Sequence, residues 1–243
     1  MVGQPFKMRI FSRIGQILFL SGGTTMLKNM IITIARKNTL ASKLVAGYSL
    51  LKKGNYLSQV GWLESFRQSL PCEENKLPLP WYTYSAIAFL GKRINKGMAV
   101  FEYGSGNSTI WWSVRAAKVV SCEHDLEWYH RMKSKFGNDV EYLYYALVPG
   151  GDYSKALLKY NNVFDIIVID GRDRVNCAKG SLSALKSSGV IIWDNSDREE
   201  YIEGYDFLTA NGFRRLDFDG MGPINVSGWC TSVFYRSINC LGI

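Results

Sequence analysis

Apolar residues recur along this chain with two different periods. From residue 24 to residue 70 they return every three or four positions, as on one face of a helix. A segment with three prolines, residues 71–80, closes this region, because proline cannot continue a helix. A further helix is predicted over about residues 82–94. We therefore predict a helical N-terminal extension over residues 1–79 and a second domain over residues 80–243.

Short apolar runs dominate the second domain and alternate with segments of helical pattern, such as residues 126–135 and 178–185. This alternation is typical of βαβ units around a parallel sheet that is covered on both faces. The last two runs are joined by a loop with glycine and proline, so we expect them to pair antiparallel at one edge. The pattern predicts an α/β fold with a doubly wound, Rossmann-type sheet of seven strands, the last one antiparallel. The predicted strands are residues 98–103, 119–122, 140–147, 164–169, 190–193, 213–218 and 230–236.

The formal net charge of +8 is concentrated near the N-terminus. Nine Lys and Arg residues precede Glu64, the first acidic residue, whereas the remaining 180 residues carry 20 basic and 21 acidic side chains. A cluster of this kind suggests an anionic neighbour, and we expect residues 1–63 to contact an anionic membrane or a glycan. A solvated helical face without a partner is the alternative.

The cysteines and the apolar segments indicate a cytoplasmic protein. The five cysteines form no C-x-x-C pair and only two histidines are present, so a zinc site is not expected. Scattered cysteines in odd number point to a reducing compartment. The apolar run at residues 14–20 is too short for a signal peptide or a membrane span. Contact of the basic segment with a membrane would place the protein at its inner face.

A glycine-rich turn follows the first predicted strand, in the sequence Val100-Phe-Glu-Tyr-Gly-Ser-Gly-Asn-Ser-Thr109. Gly104 and Gly106 allow a tight turn and a close approach of a ligand to the backbone. An NAD-binding fingerprint needs glycine where Thr109 stands, which disfavours a dinucleotide. Glu102, just ahead of the glycines, suits the cationic methionine end of S-adenosylmethionine better than a pyrophosphate.

A second acid, Glu123, lies 17 residues beyond Gly106, at the end of the second predicted strand. A carboxylate at this place can accept hydrogen bonds from both hydroxyls of a ribose. An isolated acid at a strand end is usually a solvated loop residue. Together with the glycine turn, however, Glu123 indicates a cofactor that contains a nucleoside.

The glycine turn and Glu123 resemble the first two motifs of the class I S-adenosylmethionine-dependent methyltransferases. The resemblance covers about residues 80–236, and the segments around Trp81, Gly222 and Thr231 look like bacterial FkbM-like, glycan-associated members. It implies S-adenosylmethionine as the cofactor and a place in polysaccharide biosynthesis. The residues expected at the cofactor are Trp81, Tyr84, Glu102, Tyr103, Gly104, Ser105, Gly106, Asn107, Ser108, Glu123, His124 and Asp170.

Polar residues also end the fourth and fifth predicted strands. Asp170 follows one buried strand, and Asp194 and Asn195 follow the next. Three oxygen donors at one sheet edge suit Mg²⁺ or another divalent cation. The pattern is similar to that of the metal-dependent O-methyltransferases of the catechol and sugar types, which implies that these three residues are metal ligands. The alternative is that they cap a loop and a helix.

The base that would deprotonate the acceptor is open between two residues. The catechol-type enzymes place a lysine three residues after the first Asp, where this chain has Asp173. A carboxylate near the acceptor hydroxyl could take its proton instead. We therefore predict Asp170 or Asp173 as the catalytic base.

These observations predict a methyltransferase that methylates a hydroxyl of a sugar, a glycan or another small acceptor. A non-catalytic cofactor-binding module is the first alternative, because a fold does not fix a function. An NAD-dependent oxidoreductase is the second, disfavoured by Thr109 and by the lack of a Tyr-x-x-x-Lys pair in the C-terminal half. Nucleic acid is not an expected partner, since the Asn/Asp-Pro-Pro-aromatic motif used on flipped bases is missing.

Overall fold

The computed structural model describes residues 39–243, which divide into two compact units between Asn55 and Tyr56. In the first unit, helix α1 (Thr39–Leu51) confirms the helical pattern of that segment. The helix predicted ahead of it and six of the nine N-terminal basic residues lie outside the described residues. Within residues 39–243, no helix is both long enough and apolar enough to cross a membrane.

Three helices precede the sheet in the second unit. They are α2 (Tyr56–Gln59), α3 (Trp62–Gln68) and α4 (Tyr84–Gly91). Helix α4 falls within the helix predicted over residues 82–94. The compact unit that holds the sheet begins at Tyr56, ahead of the proline segment. The domain boundary at residue 80 stays a prediction.

All seven predicted strands are present and form one mixed sheet. They are β1 (Ala99–Tyr103), β2 (Lys118–Glu123), β3 (Val140–Tyr144), β4 (Phe164–Ile169), β5 (Leu185–Asp194), β6 (Arg214–Gly220) and β7 (Trp229–Tyr235). Their order across the sheet is β3-β2-β1-β4-β5-β7-β6. Strands β1 to β5 pair in parallel, whereas β7 pairs antiparallel with both β5 and β6. The predicted Rossmann-type fold with an antiparallel last strand is confirmed.

Four more helices connect the strands. They are α5 (Asn107–Ser113), α6 (Leu126–Lys133), α7 (Arg174–Lys179) and α8 (Ile202–Ala210), together with 3₁₀ turns at Ala156–Lys159 and Glu199–Tyr201. The helix predicted over residues 178–185 is wrong in its extent, because α7 ends earlier and β5 already begins at Leu185. Leu185 pairs with Phe164 in the sheet, and this pairing overrides the helical spacing of the local sequence.

The central strands of the sheet are buried on both faces, as the apolar runs predict, whereas the edge strands β3 and β6 contain no buried residue. On β1, the side chains of Phe101 and Tyr103 belong to one core and that of Val100 to the other. Because side chains alternate between the faces of a strand, Glu102 points to the same face as Val100. Every residue of β4 is buried. The packed strands therefore hold the loops at their C-terminal ends in fixed positions.

Candidate functional site

A cleft of about 730 Å³ opens at the edge of the sheet where β1, β2, β4 and β5 end. In open α/β sheets ligands bind at this edge, where neighbouring connections leave in opposite directions. The volume of the cleft lies in the range of small-molecule sites. The sequence-predicted site residues that line it are Trp81, Gly104, Ser105, Gly106, Asn107, Ser108, Glu123, His124, Asp170, Asp194 and Asn195.

The glycine turn packs directly against the end of β4. Gly104 has a φ of 90°, in the left-handed region that favours glycine. A Cβ atom on Gly104 would lie 3.1 Å from the carbonyl oxygen of Asp170, whose N–H donates to the Tyr103 carbonyl at 3.2 Å. A Cβ atom on Gly106 would meet only Trp128, at 3.9 Å. Gly104 is therefore the glycine that the fold itself requires.

Glu102 lies behind the glycine turn and is not among the residues that line the cleft. Its side chain is 1% exposed, and its carboxylate accepts a hydrogen bond from the Thr109 hydroxyl at 2.6 Å. Thr109 also accepts the Gly106 N–H at 3.1 Å, so the start of α5 is tied to β1. Burial raises the pKa of Glu102 to about 7, against hydrogen bonds from Ser108 and Thr109. Glu102 therefore shapes the turn from behind, and its contact with the cofactor stays a prediction.

Glu123 lies at the cleft and is surrounded by hydrogen-bond donors. Its carboxylate accepts the N–H groups of His124 and Asp125 at 2.8 Å and 3.0 Å, and the Ser105 hydroxyl at 2.5 Å. Burial opposes its ionisation, but the hydrogen bonds from His124, Asp125 and Ser105 outweigh burial and lower the pKa of Glu123. An ionised carboxylate only accepts hydrogen bonds, so this side chain can receive the hydroxyls of a ligand.

Besides Glu102, three further predicted site residues do not line the cleft. Tyr103 is fully buried, and its hydroxyl donates to a backbone carbonyl in the core. Tyr84 lines a second pocket of about 590 Å³. Asp173 accepts the Gly150 N–H and the Asn176 side-chain amide, each at 2.8 Å. Asp173 therefore fastens the loop ahead of α7, and its position does not support the prediction that it is a base.

The three residues predicted as metal ligands converge on an arginine. The guanidinium of Arg174 donates to the Asp170 carboxylate at 3.2 Å and to the Asn195 side-chain oxygen at 3.3 Å. It also donates to the backbone carbonyls of Gly171, at 2.9 Å, and of Asp194. Residues 39–243 contain no group of three His, Cys, Asp or Glu side chains that could hold a metal ion. The predicted ligands therefore do not fit a divalent cation, because a fixed positive charge already lies among their oxygens.

Asp194 and Asp170 form a pair of carboxylates on either side of this arginine. Asp194 is 3% exposed and accepts the Trp229 indole N–H at 2.9 Å and the Thr231 hydroxyl at 2.6 Å. Burial raises the pKa of Asp194 to about 6, although these hydrogen bonds and Arg174 oppose the shift. Burial and the Asp194 charge raise the pKa of Asp170 well above its ordinary range. The Asp170 side chain, 22% exposed, is the more accessible of the two.

The proline segment and the loop after β6 form the outer walls of the cleft. Leu79 and Trp81 line it from the proline segment, and the Asn107 side-chain amide donates to the Pro71 carbonyl at 2.7 Å. The loop between β6 and β7 contributes Asn225 to the lining, and Trp229 lines the cleft from the start of β7. The Trp62 indole donates to a carbonyl of that loop at 2.9 Å. Helix α3 thus supports a wall that encloses the cleft.

Several cleft residues were not predicted from the sequence. The Trp128 indole N–H donates to the Ser105 carbonyl at 2.9 Å, and Trp229 holds Asp194. One signal in the sequence could have pointed to Arg174. This residue lies four positions after Asp170, at the start of α7 and close to the end of β4. The other cleft residues that the sequence analysis did not select are Leu70, Pro71, Leu79, Asp125, Met132, Lys135, Gly171, Arg172, Arg198 and Asn225.

No protein-family model matches this sequence, and no curated protein matches it significantly. Solved structures resemble its fold. One is a precorrin-6y C5,15-methyltransferase of Geobacter metallireducens, 14% identical over 63% of this chain and 88% of its own, with a TM-score of 0.49. A precorrin 8w decarboxylase of Methanobacterium thermoautotrophicum is 17% identical, over 70% and 98%, with a TM-score of 0.49. A methyltransferase-like protein of Silicibacter pomeroyi is 19% identical, over 65% and 89%, with a TM-score of 0.45. At these identities the likeness extends to the fold alone.

Proposed function

We propose that this chain is a methyltransferase that uses S-adenosylmethionine to methylate a hydroxyl oxygen of a sugar, a glycan or another small acceptor. The observation that carries the proposal is the buried, ionised Glu123 beside the glycine turn. In Rossmann-type folds an acid at the end of the second strand accepts the ribose hydroxyls of a nucleoside. Gly104, Ser105 and Gly106 line the adjoining part of the cleft.

Ser105 gives the cofactor site a movable hydroxyl. It donates to Glu123 at 2.5 Å and lies 2.8 Å from the hydroxyl of Tyr142. A ribose hydroxyl can replace the Ser105 hydroxyl on Glu123, and Ser105 then keeps Tyr142 as its partner. The Ser105 hydroxyl and the ribose hydroxyl therefore both have a hydrogen-bond partner when the cofactor binds. Binding does not leave a buried polar group unpaired.

Asp170 is the residue that we propose as the base. Its carboxylate lines the cleft next to Gly104, where burial and the Asp194 charge raise its pKa and so favour the uptake of a proton. The acceptor O–H bond breaks, its proton moves to the Asp170 carboxylate, and the oxygen forms a bond to the methyl carbon. S-adenosylmethionine would supply the methyl group, and the electron pair of its carbon–sulfur bond would stay on the sulfur. The acceptor must be held in line for this displacement.

Trp81 is proposed to form the acceptor wall. Its side chain is 44% exposed although it lines the cleft, so an apolar face remains open to a ligand. Rings of this kind pack against the C–H faces of sugars as well as against other apolar groups. Trp229 also lines the cleft and is fixed by its hydrogen bond to Asp194. An acceptor between them would lie near Asp170.

Calorimetric titration with S-adenosylmethionine and with NAD tests the proposal. The parent chain should bind S-adenosylmethionine and not NAD. Glu123→Gln should weaken binding at least tenfold, because it removes the charge that accepts the ribose hydroxyls; one lost charged hydrogen bond of about 1.5 to 3 kcal/mol has this effect. Glu127→Gln, at an exposed position on α6, is the control and should bind as the parent does. Unchanged binding by Glu123→Gln would refute this placement of the cofactor.

Contact with an anionic membrane is proposed for the N-terminal part of the chain. On α1, Leu40, Leu44, Tyr48 and Leu51 are all at least half exposed and recur at helical spacing. Nine basic residues and no acid occur in residues 1–63. An apolar stripe with basic neighbours is the pattern of helices that lie in a membrane interface.

A further inference from the structure

We propose that Arg174 is a built-in cation, occupying the place of a divalent metal ion at the ends of β4 and β5. Its removal would then uncover a site for such an ion. The proposal concerns ion binding by this chain, so it stands or falls separately from the proposed methyl transfer. It rests on the oxygen atoms that face the guanidinium and on the burial of that group.

Four oxygen atoms from two loops face the guanidinium of Arg174. They belong to the Asp170 carboxylate, the Asn195 side chain, and the carbonyl groups of Gly171 and Asp194. Carboxylate, amide and carbonyl oxygens are the ligands that hard cations take in proteins. Each of these oxygens acts as an acceptor here, so the space among them needs a positive charge or a set of donors.

Arg174 is enclosed as well as surrounded by acceptors. Its side chain is 8% exposed, and the ring of Tyr201 lies 5.4 Å from its guanidinium carbon. Asp170 and Asp194 bring two carboxylates to this region, and carboxylates in a protein interior are costly without a compensating charge. The arginine supplies that charge from within the chain. A divalent ion can reach these oxygens only where the guanidinium has left.

Arg174→Ala leaves the four oxygens without their donors and opens the space that the guanidinium filled. We expect this variant to be less stable than the parent, because buried acceptors and a buried carboxylate lose their partner. A divalent ion restores the positive charge and coordinates oxygens of the same type. The variant should therefore bind Ca²⁺ or Mn²⁺, whereas the parent should not.

The experiment is calorimetric titration of the full chain with CaCl₂ and with MnCl₂, combined with thermal unfolding in the same solutions. The parent should give no binding heat at millimolar ion and no shift in Tm. Arg174→Ala should bind one ion with a Kd of about 0.1 to 1 mM, the range of weak oxygen sites. Its Tm should rise with ion concentration. Adding Asp170→Asn to Arg174→Ala should weaken ion binding at least tenfold by removing one charged ligand.

Arg198→Ala is the matched control. Arg198 also lines the cleft, but its guanidinium lies near Glu200 and Tyr201 and acts on Asp170 through its charge alone, without a hydrogen bond to the four oxygens. This variant should gain no ion binding. Arg174→Met, which keeps the apolar stem and lacks the charge, serves if the alanine variant does not fold.

Three results would overturn the proposal. The first is a folded Arg174 variant, alanine or methionine, that binds no ion at millimolar concentration. The second is binding of an ion by the parent that Asp170→Asn abolishes, because the arginine would then not stand in for the metal. The third is ion binding by Arg198→Ala equal to that by Arg174→Ala, since the gain would not be specific to the buried site.

Discussion

Glu102 and Thr109 are joined by a hydrogen bond of 2.6 Å that closes the glycine turn from behind. Thr109 stands where a dinucleotide fingerprint has glycine, and its hydroxyl serves both the Glu102 carboxylate and the Gly106 N–H. The residue that disfavours NAD binding thus also links β1 to the start of α5 through its hydroxyl. The turn depends on polar contacts in the core as well as on its glycines.

Thr109→Val keeps the shape of the side chain and removes its hydroxyl. We expect a loss of about 2 kcal/mol in the free energy of unfolding, because Glu102 and the Gly106 N–H lose a buried partner. Chemical denaturation measures the loss. Ser113→Ala is the control, since that hydroxyl bonds only to a carbonyl within its own helix, and it should cost less than about 0.5 kcal/mol. Equal losses in the two variants would contradict the role given to Thr109.

Glu102 should make stability fall as the pH rises towards neutrality. Its pKa is about 7 in the folded chain and 4.5 ordinarily, so the folded state binds the extra proton between these values. The stability due to this proton is fully present below about pH 4.5 and is lost by about pH 7, a change of at most about 3 kcal/mol. Glu102→Gln cannot ionise, so its stability relative to the parent should increase from pH 5 to pH 8.

Glu123→Gln is the control for this pH dependence. The pKa of Glu123 is lowered by folding, so its contribution is present above the ordinary pKa and is lost only in acid. Between pH 5 and pH 8 the difference between this variant and the parent should therefore change much less than for Glu102→Gln, by only the part of the Glu102 shift that the Glu123 charge contributes. Parallel stability curves for Glu102→Gln and the parent would show that Glu102 does not titrate in this range.

Gly104→Ala tests the contact between the glycine turn and the end of β4. The left-handed backbone conformation should lower the free energy of unfolding of the variant by about 1 to 2 kcal/mol. The new Cβ would lie 3.1 Å from the carbonyl oxygen of Asp170, and this close contact should lower it further. Gly212→Ala is the matched control, with a φ of 83° and no atom within 4 Å of its Cβ. Thermal unfolding should place Gly104→Ala clearly below Gly212→Ala. Similar Tm values would mean that the contact with Asp170 is easily relieved.

Asp170→Asn should separate binding from chemistry. We expect transfer of a tritiated methyl group to hydroxylated acceptors to fall about 10² to 10⁴-fold, because the variant has no base, while S-adenosylmethionine affinity changes little. Asp173→Asn tests the other candidate from the sequence. Since Asp173 bonds to Gly150 and Asn176 outside the cleft, its loss should lower stability rather than turnover of the folded enzyme. The reverse result would make Asp173 the base.

Vesicle flotation tests the contact with an anionic membrane. Recovery should require anionic lipid and should fall at high salt, since each basic residue near such a surface contributes about 1 kcal/mol. Replacing Leu40, Leu44 and Tyr48 by serine should reduce recovery through the loss of apolar insertion. Replacing three exposed threonines or serines elsewhere in the chain should leave the recovery with anionic vesicles unchanged. Equal recovery with neutral and anionic vesicles would leave the basic residues as a solvated face.

The sequence by itself determined the strands, the antiparallel pairing of the last two, and the part of the cleft built from contiguous residues. Apolar runs located the central strands, because strands that are covered on both faces are continuously apolar. The edge strand β6 was located although its residues are only partly buried or exposed. Gly104 and Glu123 were located because strand ends and turns are local features. The end of α7 was missed, since the pairing of Leu185 with Phe164 is not local.

Only the tertiary structure decided what the polar residues at the strand ends do. Glu102 and Tyr103 are neighbours in sequence, yet alternation on β1 sends one towards Thr109 and the other into the opposite core. Asp170 and Asn195 were expected to share a metal ion, and the fold brings the Arg174 guanidinium to them instead. The same oxygen atoms can face a metal ion or a guanidinium. The packing of the chain decides between them, because it brings the Arg174 side chain to this place.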